Sequence, residues 1–279
     1  MINRSTDGKQ RVLSLSYGKD SLACLGAIEQ LGLPLDRIVH AEVWATDTIQ
    51  ADLPPMVEFK SKADAIIKER WGFEVEHYRS KWTYEAHFYA PYIHKSELRD
   101  LSKNGIYGFP YRMGQWCNSR LKVSVLSKIA NETKGAIQYM GIAADEPNRF
   151  HNLDGASKIS PLVEIGWAEA DAKQWCIDND LLSPIYTDSA RGGCWFCHNQ
   201  SIGQLRLLRK NYPELWQLLL KWDNDSPVLF KADGHTVHDF DRRFRLEDEG
   251  LIDPKATFRW AMLDDDLQYT IFKDWSDDE

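Results

Sequence analysis

The sequence has no apolar run that approaches the ~18 residues required for a membrane-spanning helix. Residues 1–10 are polar and lack the apolar stretch of a secretory signal. Internal repeats and low-complexity linkers are also absent from the sequence. We therefore expect a cytoplasmic protein without a membrane partner.

Cysteine is scarce, with five residues in a chain of 279. An odd number of cysteines in a long chain without an export signal does not suit a disulfide framework. The pattern instead predicts reduced thiols that serve chemistry or metal binding. Cys24 falls on the apolar stripe of a predicted helix, so we expect it to lie in the core.

Positive charge is in short supply as well, since the formal net charge is −8. Most of this negative charge lies at residues 264–279, where seven acidic residues and one lysine give a net charge of −6. The other residues together carry a net charge of −2. This balance disfavours a general nucleic-acid-binding protein but is compatible with a local basic channel. A hydrophobic content of 43% and an aromatic content of 12% exclude a largely disordered chain.

The first third of the sequence alternates between strand and helix patterns. Three short runs predict strands at Arg11–Ser16, Arg37–Ala45 and Phe73–Tyr78. Between them, apolar periodicity predicts helices at Asp20–Leu31 and Pro54–Trp71, the second closed by Gly72. This order predicts an α/β fold with a doubly wound, mostly parallel sheet.

The remaining sequence predicts further elements and a division into two domains. An aromatic stretch at about 80–114, punctuated by glycine and proline, is interpreted as an insertion with a short helix at 96–102. Further patterns predict a helix at 121–131, a strand at 136–143, a helix at 168–179, and a helix at 201–222 broken at Pro213. We expect an α/β domain at 1–165 and a mainly helical, cysteine-bearing extension at 166–279.

One hexapeptide lies where the first predicted strand ends and the first helix begins. It consists of Ser16, Tyr17, Gly18, Lys19, Asp20 and Ser21. Such a turn presents free backbone N–H groups and the positive end of the helix dipole to an anion. Gly18 permits close approach, Lys19 adds a positive charge, and the two serines add hydroxyl groups. These residues predict a phosphate-binding loop, with an ordinary strand–helix turn capped by Asp20 as the alternative.

Two acidic residues follow predicted strands. Asp47 and Asp145 are both expected at the carboxyl edge of the sheet, where open α/β sheets bind ligands. A carboxylate there can orient Mg²⁺ or a ribose hydroxyl, while Lys19 neutralises phosphates. We therefore expect Lys19, Asp47 and Asp145 to be catalytic. A role for the two acids as helix caps or turn residues is the alternative.

Four cysteines are candidate metal ligands. Cys194 and Cys197 form a C-x-x-C in a glycine-rich turn, and Cys176 and Cys117 bring the number of thiolates to four. Four thiolates suit either tetrahedral Zn²⁺ or a [4Fe-4S] cluster, and the spacing does not choose between them. A redox dithiol and buried structural thiols are the alternatives.

Several basic residues flank these segments. We expect Arg112, Arg149 and Lys158 to hold a phosphate or sulfate group, because arginine in particular suits that geometry. Ordinary surface charge is the alternative for each of them.

The hexapeptide SYGKDS resembles the S-x-G-K-D-S loop of the PP-loop pyrophosphatase superfamily, specifically its phosphoadenosine phosphosulfate (PAPS) reductase-like branch. The segment 45–48 resembles the D-T-G-x-E element of that family, with Ile49 in place of the glycine. The segment 141–146, together with Arg149, resembles its G-I-x-x-D-E-x-x-R element, and 158–167 resembles its x-P-L-x-x-W segment. The resemblance extends over roughly Val12–Pro213.

This resemblance implies a nucleotide-binding domain at 1–165 that binds an adenine nucleotide, as ATP with Mg²⁺. Ser16–Ser21, Asp47 and Gly141 are its implied nucleotide-binding residues. The implied reaction is adenylation of an acceptor with release of pyrophosphate, coupled to sulfur transfer. The acceptor is a nucleic acid or a small molecule, and a sulfur donor protein is a further expected partner.

The resemblance also implies that the cysteines hold a [4Fe-4S] cluster rather than Zn²⁺. Cys117, Cys194 and Cys197 match cluster positions of several members of the branch. Reductases of the branch have a Cys-Cys pair where this chain has Cys117 alone, so Cys176 is expected as the fourth ligand.

Two other functions are compatible with the sequence. One is a sulfonucleotide reductase that acts on PAPS or adenosine phosphosulfate (APS) and yields sulfite. The E-C-G-L-H-like segment of such reductases is missing here, since no cysteine follows Cys197. The other is a nucleotide-binding module without turnover, in which the cysteines hold a structural metal.

Overall fold

The structure is a computed structural model that describes residues 2–92, 105–111, 115–184, 186, 193–255 and 260. It divides into two compact units. The first contains Met1–His87 and Gln115–Cys194, and the second contains Phe88–Gly114 and Trp195–Glu279. The helix predicted at 96–102 and the acidic residues at 264–279 lie outside the described residues.

The first unit is built on a five-stranded sheet in which every neighbouring pair of strands is parallel. Its strands are β1 (Arg11–Ser14), β2 (Arg37–Glu42), β3 (Val75–Arg79), β4 (Ile137–Tyr139) and β5 (Lys158–Ile159). The spatial order is β3–β2–β1–β4–β5, so the chain runs outward on one side of β1 and then on the other. This order confirms the predicted doubly wound parallel sheet and places its switch point between β1 and β4.

The helices of the first unit are short to medium in length. They are α1 (Lys19–Leu31), α2 (Pro54–Trp71), α3 (Tyr84–Phe88), α4 (Trp116–Asn118), α5 (Ser124–Glu132), α6 (Pro161–Ile165) and α7 (Glu169–Asp178). A π-helical turn at Ser119–Val123 joins α4 to α5, and a 3-10 helix spans Pro147–Asn152. In the described ranges, every helix is too short or too polar to cross a membrane.

Apolar side chains cover both faces of the sheet. Val12 and Leu13 of β1 belong to two different core clusters, because successive strand residues point to opposite faces. On one face, Leu13 packs in a cluster with residues of α1 and α2 such as Leu22. On the other face, Val12 packs with Val125 and Ile129 of α5. The strands therefore form the middle layer of an α/β/α arrangement.

Helix α7 packs directly on α1 because of one glycine. A Cβ atom at Gly26 would lie 2.3 Å from the indole of Trp175, so only glycine fits beneath this ring. The contact explains why residues 169–178 belong to the first unit, whereas the sequence predicts a boundary at 165.

The second unit is helical in the part that the structure describes. Its helices are α8 (Ile202–Asn211), α9 (Pro213–Asp225) and α10 (Val237–Asp248). Pro213 opens α9, so the predicted helix at 201–222 is two helices with the break at the predicted residue. The core of this unit is aromatic, with the rings of Trp195 and Trp222 stacked at 5.4 Å.

Candidate phosphate-binding site

The hexapeptide at residues 16–21, which we call the phosphate loop, connects β1 to α1 at the carboxyl edge of the sheet. Its two serines make hydrogen bonds within the loop. The hydroxyl of Ser21 donates to the carbonyl of Gly18 at 2.9 Å and lies 3.0 Å from the hydroxyl of Ser16. Gly18 is the N-cap of α1 and has no side chain with which to cap the helix. The backbone donors of the first turn are therefore left to acceptors from elsewhere.

A tyrosine hydroxyl lies on one of the backbone donors of this turn. The N–H of Lys19 donates to the hydroxyl of Tyr186 at 3.1 Å. A phosphate oxygen bound at a helix N-terminus accepts hydrogen bonds from the same kind of donor. The Tyr186 oxygen thus occupies a position suited to an anion oxygen, and the sequence analysis missed it.

The ammonium group of Lys19 is held between two carboxylates. Its Nζ lies 2.7 Å from Asp20 Oδ1 and 3.0 Å from Glu169 Oε2 at the start of α7. Burial opposes the charge, but these carboxylates outweigh it and raise the pKa of Lys19. Burial also raises the pKa of Asp20, against the effect of Lys19. A phosphate group that binds Lys19 therefore competes with two carboxylates that are already in place.

Gly141 lies directly against the phosphate loop, at the switch point of the sheet. A Cβ atom there would lie 2.6 Å from the backbone nitrogen of Ser21 and 2.8 Å from its Cα. The chain that leaves β4 thus approaches the first turn of α1 more closely than any side chain permits. This places Gly141 beside the other residues that the sequence predicts to bind a nucleotide.

The two predicted catalytic acids lie at the same edge in different surroundings. The side chain of Asp47 is 94% exposed, with Arg79 at 3.6 Å as its ionic neighbour. Asp145 Oδ1 accepts a hydrogen bond from the backbone N–H of Glu169 at 3.0 Å. Asp145 is thereby connected through Glu169 to Lys19, whereas Asp47 has no such connection among the contacts of the described residues. Their catalytic roles stay predictions.

The predicted phosphate-binding cations fall in three different places. Arg149 lies in the 3-10 helix, and its guanidinium bonds both carboxylate oxygens of Glu146 at 2.7 Å. Lys158 begins β5 and is exposed. Arg112 lies outside the described residues. Their role in holding phosphate or sulfate stays a prediction.

The cysteines also differ in their surroundings. Cys24 is fully buried on α1, which confirms the predicted core position. Cys176 is equally buried on α7, and its thiol donates to the backbone oxygen of Lys19 at 3.2 Å. Burial raises the pKa of Cys176 to about 12. Cys117, Cys194 and Cys197 are partly exposed.

Among the described residues, one group of potential metal ligands lies within 4.8 Å of one another, and it consists of His40, Glu42 and His77.

The histidine–glutamate group was missed by sequence reasoning. His40 and Glu42 point to one face of β2, and His77 of β3 pairs directly with His40 in the sheet. The alternation along β2 was visible in the sequence. The register between β2 and β3 was not.

The sequence comparison gives one curated relative. The chain is similar to the uncharacterized nin region protein ORF290 of Escherichia phage lambda, with 28% identity over 152 residues. The match includes 52% of this chain and 49% of the phage protein, so the chain spans about half the length of that relative. No family model matches the sequence.

Two solved structures resemble the fold at low sequence identity. The phosphate complex of PAPS reductase from Candida auris matches with a TM-score of 0.42 and 13% identity, over 65% of this chain and 78% of that one. The U34-tRNA thiolase NcsA from Methanococcus maripaludis, with its [4Fe-4S] cluster, matches with a TM-score of 0.39 and 13% identity, over 80% of this chain and 72% of that one.

The fold assignment rests on the elements of the chain itself. A parallel sheet switches direction beside its central strand, and the SYGKDS turn joins that strand to the first helix. Gly141 closes on this turn from the neighbouring strand. Together these features give the chain a doubly wound parallel α/β fold with the SYGKDS turn at its switch point.

Proposed function

We propose that this chain is a PP-loop enzyme that binds ATP with Mg²⁺ at residues 16–21 and activates an acceptor by adenylation. The observation that carries the proposal is the phosphate loop, which puts the N-terminus of α1 at the switch point of a parallel sheet with Lys19 beside it. This arrangement combines backbone donors, the helix dipole and a cation toward one anion.

In the proposed reaction, a nucleophilic atom of the acceptor attacks the α-phosphorus of ATP. The bond from that phosphorus to the bridging oxygen breaks, and pyrophosphate leaves with the electron pair. Lys19 and the N–H groups of the loop stabilise the negative charge that develops on the leaving group. Mg²⁺ bound with ATP supplies further charge neutralisation.

Lys19 has to exchange partners for this role. Its Nζ is bonded to Asp20 and Glu169 in the structure. When the phosphates take their place, the two carboxylates are released beside the nucleotide, where carboxylate oxygens suit Mg²⁺. The hydroxyl of Tyr186 likewise yields the N–H of Lys19 to a phosphate oxygen.

We further propose, from the resemblance of the sequence, that the cysteines hold a [4Fe-4S] cluster used in sulfur transfer. Cys117, Cys194 and Cys197 are partly exposed and suited to ligation. Cys176 serves as the fourth ligand only after its sulfur leaves the carbonyl of Lys19 and loses its proton. The cluster, when bound, would supply a site for sulfur.

Calorimetric titration under anaerobic conditions tests the proposed nucleotide. The full-length protein is titrated with ATP-Mg, APS and PAPS in parallel. We expect binding of ATP-Mg, a loss of about tenfold or more in affinity for Lys19→Met, and no change for Lys68→Met. Lys68 is the matched control because it pairs with Glu74 on the surface at 2.8 Å, away from the loop.

Each other outcome contradicts the proposal in a distinct way. Preference for APS or PAPS would support a sulfonucleotide reductase. Binding of ATP-Mg without pyrophosphate release in the presence of any candidate acceptor would support a module without turnover. Equal affinities for the Lys19 and Lys68 variants would place the nucleotide elsewhere on the chain.

A further inference from the structure

Tyr17 has an unusual backbone conformation for an aromatic residue. Its φ is +57°, in the left-handed region that glycine adopts without cost. Its ring is fully buried, although Ser16 before it is exposed and Gly18 after it is partly exposed. A bulky residue keeps such a conformation only where its surroundings hold it there.

The phenol of Tyr17 is tied to two elements outside the loop. Its hydroxyl donates to Asp64 Oδ1 on α2 at 2.5 Å and lies 3.2 Å from His77 Nε2 on β3. His77 Nε2 lies 2.9 Å from the other oxygen of Asp64, and His77 Nδ1 lies 3.6 Å from Glu42. Asp64 and Glu42 raise the pKa of His77 to about 9, so both ring nitrogens carry protons at neutral pH.

A second set of contacts holds the chain just before the loop. His40 donates from Nδ1 to the carbonyl of Leu15 at 2.8 Å, and its Nε2 accepts from the ammonium of Lys60 at 3.0 Å. Burial, with the charge of Lys60, lowers the pKa of His40 to about 3, so the ring is neutral. Lys60 in turn pairs with Asp52 at 2.6 Å. The His40 ring meets the Tyr17 ring edge-on, with centroids 4.8 Å apart.

The same residues do not favour a metal ion, although His40, Glu42 and His77 are close enough to bind one. The free electron pair of His40 faces the Lys60 ammonium, and His77 lies between two carboxylates. A divalent cation has to displace Lys60 and remove a proton from His77 before either ring can ligate it.

We propose that Tyr17, Asp64 and His77 form a positioning device, the loop anchor, which holds the phosphate loop in its anion-binding conformation. The hydrogen bonds of the buried phenol keep residue 17 in the left-handed region. The next residue, Gly18, is extended as the N-cap of α1, and the N–H of Lys19 after it donates to the Tyr186 hydroxyl, the position proposed for a phosphate oxygen. The anchor deepens the proposed function, since its ligand is the phosphate group of the nucleotide.

The test compares two tyrosine-to-phenylalanine variants. Tyr17→Phe keeps the buried ring and removes the hydroxyl. Tyr78→Phe is the control, because it removes a hydroxyl on the residue of β3 next to His77, one that donates to Glu132 at 2.8 Å and accepts from Arg37 at 2.7 Å. Asp64→Asn removes the carboxylate charge and one of its two acceptor oxygens, and it does not alter the loop sequence. All three are made in the full-length chain.

Two measurements are made on each variant. Hydrogen–deuterium exchange of peptides that contain residues 16–21 reports loop order without any ligand. Calorimetry with ATP-Mg and with pyrophosphate reports affinity. For Tyr17→Phe and Asp64→Asn we expect exchange of the loop amides to rise about tenfold and affinity to fall about tenfold, with exchange of β1 and of residues 22–31 of α1 unchanged. For Tyr78→Phe we expect the wild-type loop values.

Loop exchange that is unchanged in both anchor variants overturns the proposal. Uniform loss of protection over the whole first unit also overturns it, because that result indicates a structural role only. If Zn²⁺ binds the wild-type protein and His40→Ala abolishes this binding, the group is a metal site and the anchor is wrong. A wild-type protein that binds neither probe refutes the proposed function alone, because the exchange measurement still decides the anchor.

Discussion

Replacing Gly141 by alanine places a methyl group against the backbone of the phosphate loop. The new Cβ would lie 2.6 Å from Ser21 N, 2.8 Å from Ser21 Cα and 2.9 Å from Asp20 C, whereas ordinary contact begins at 3.4 Å. The backbone at residue 141 and the backbone of Ser21 have to move apart by about 0.8 Å to relieve the shortest of these contacts. Since all three atoms belong to the backbone, rotation of a side chain cannot relieve the clash.

We expect two effects of different size from this variant. Overpacking of this kind destabilises a protein by about 1–3 kcal/mol. A displacement approaching 1 Å at a site of phosphate transfer lowers activity by as much as roughly 100-fold. The variant should therefore lose much more activity or ATP-Mg affinity than a change in stability alone explains.

Thermal unfolding and calorimetry with ATP-Mg measure the two effects. Gly26→Ala is the control, because its Cβ would meet the side chain of Trp175 rather than the backbone of the loop. We expect Gly26→Ala to lower the melting temperature and to leave the affinity for ATP-Mg within about threefold of wild type. Wild-type affinity in Gly141→Ala would refute the reasoning that this close approach shapes the binding site.

Three further predictions concern Tyr186, His77 and the partly exposed cysteines. Tyr186→Phe removes the hydroxyl that accepts from Lys19, so pyrophosphate should bind about two- to tenfold more tightly by calorimetry. Because the folded-state pKa of His77 is raised to about 9, its stabilising effect is complete below the ordinary pKa of 6.5 and is lost as pH rises through 9. The melting temperature of the wild type should thus fall more steeply over this range than that of His77→Gln. Anaerobic reconstitution with iron and sulfide should give a cluster absorption band that is lost in three serine variants, those of Cys117, Cys194 and Cys197.

Each of these predictions has a result that would contradict it, and two of them have a control variant. Tyr78→Phe should leave the affinity for pyrophosphate unchanged, and equal affinities of Tyr186→Phe and wild type would contradict the competition for Lys19. Parallel pH profiles of wild type and His77→Gln would contradict the charged state of that ring. Cys24→Ser should retain the absorption band, because Cys24 is a core residue. A band that survives in all three ligand variants would exclude these cysteines as ligands.

Sequence reasoning predicted well the elements whose ends are set by local chemistry. Helix α2 begins at Pro54 and ends at Trp71 as predicted, because Pro54 suits a first turn and Gly72 adopts a φ of +72° beyond the last. The phosphate loop was visible for a similar reason, since its donors, charge and hydroxyls lie within six consecutive residues.

Other elements depend on contacts between distant residues and were predicted less well. The strand predicted at 136–143 is limited to Ile137–Tyr139, because the chain then turns against α1 at Gly141. Strand β5 has two residues and follows from its pairing with β4 rather than from its own pattern. Helix α10 was missed, although Thr236 and Asp239 form a capping box at its N-terminus, because its polar composition masks its apolar stripe.

The residues of the candidate site also differ in whether local sequence or distant contacts bring them to the site. Lys19 and Gly141 were predicted from motifs, whereas Glu169 and Tyr186 reach the loop from far along the chain. The sequence predicts a role for Tyr17 in nucleotide binding but does not indicate which way its side chain points. In the structure, its ring is buried in the core. No local pattern distinguishes an inward tyrosine from an outward one at a turn.

The packing of Trp175 on Gly26 also provides an optical signal. The indole ring of Trp175 lies 6.2 Å from that of Trp71 and 6.4 Å from that of Trp167, and the guanidinium of Arg70 lies 5.9 Å from it. Rings at such distances exchange excitation energy, so their emission depends on their mutual geometry. Since Trp175 packs on Gly26, a shift of α1 against α7 would change that geometry. The difference between the fluorescence of the wild type and of Trp175→Phe would therefore report such a shift without a label.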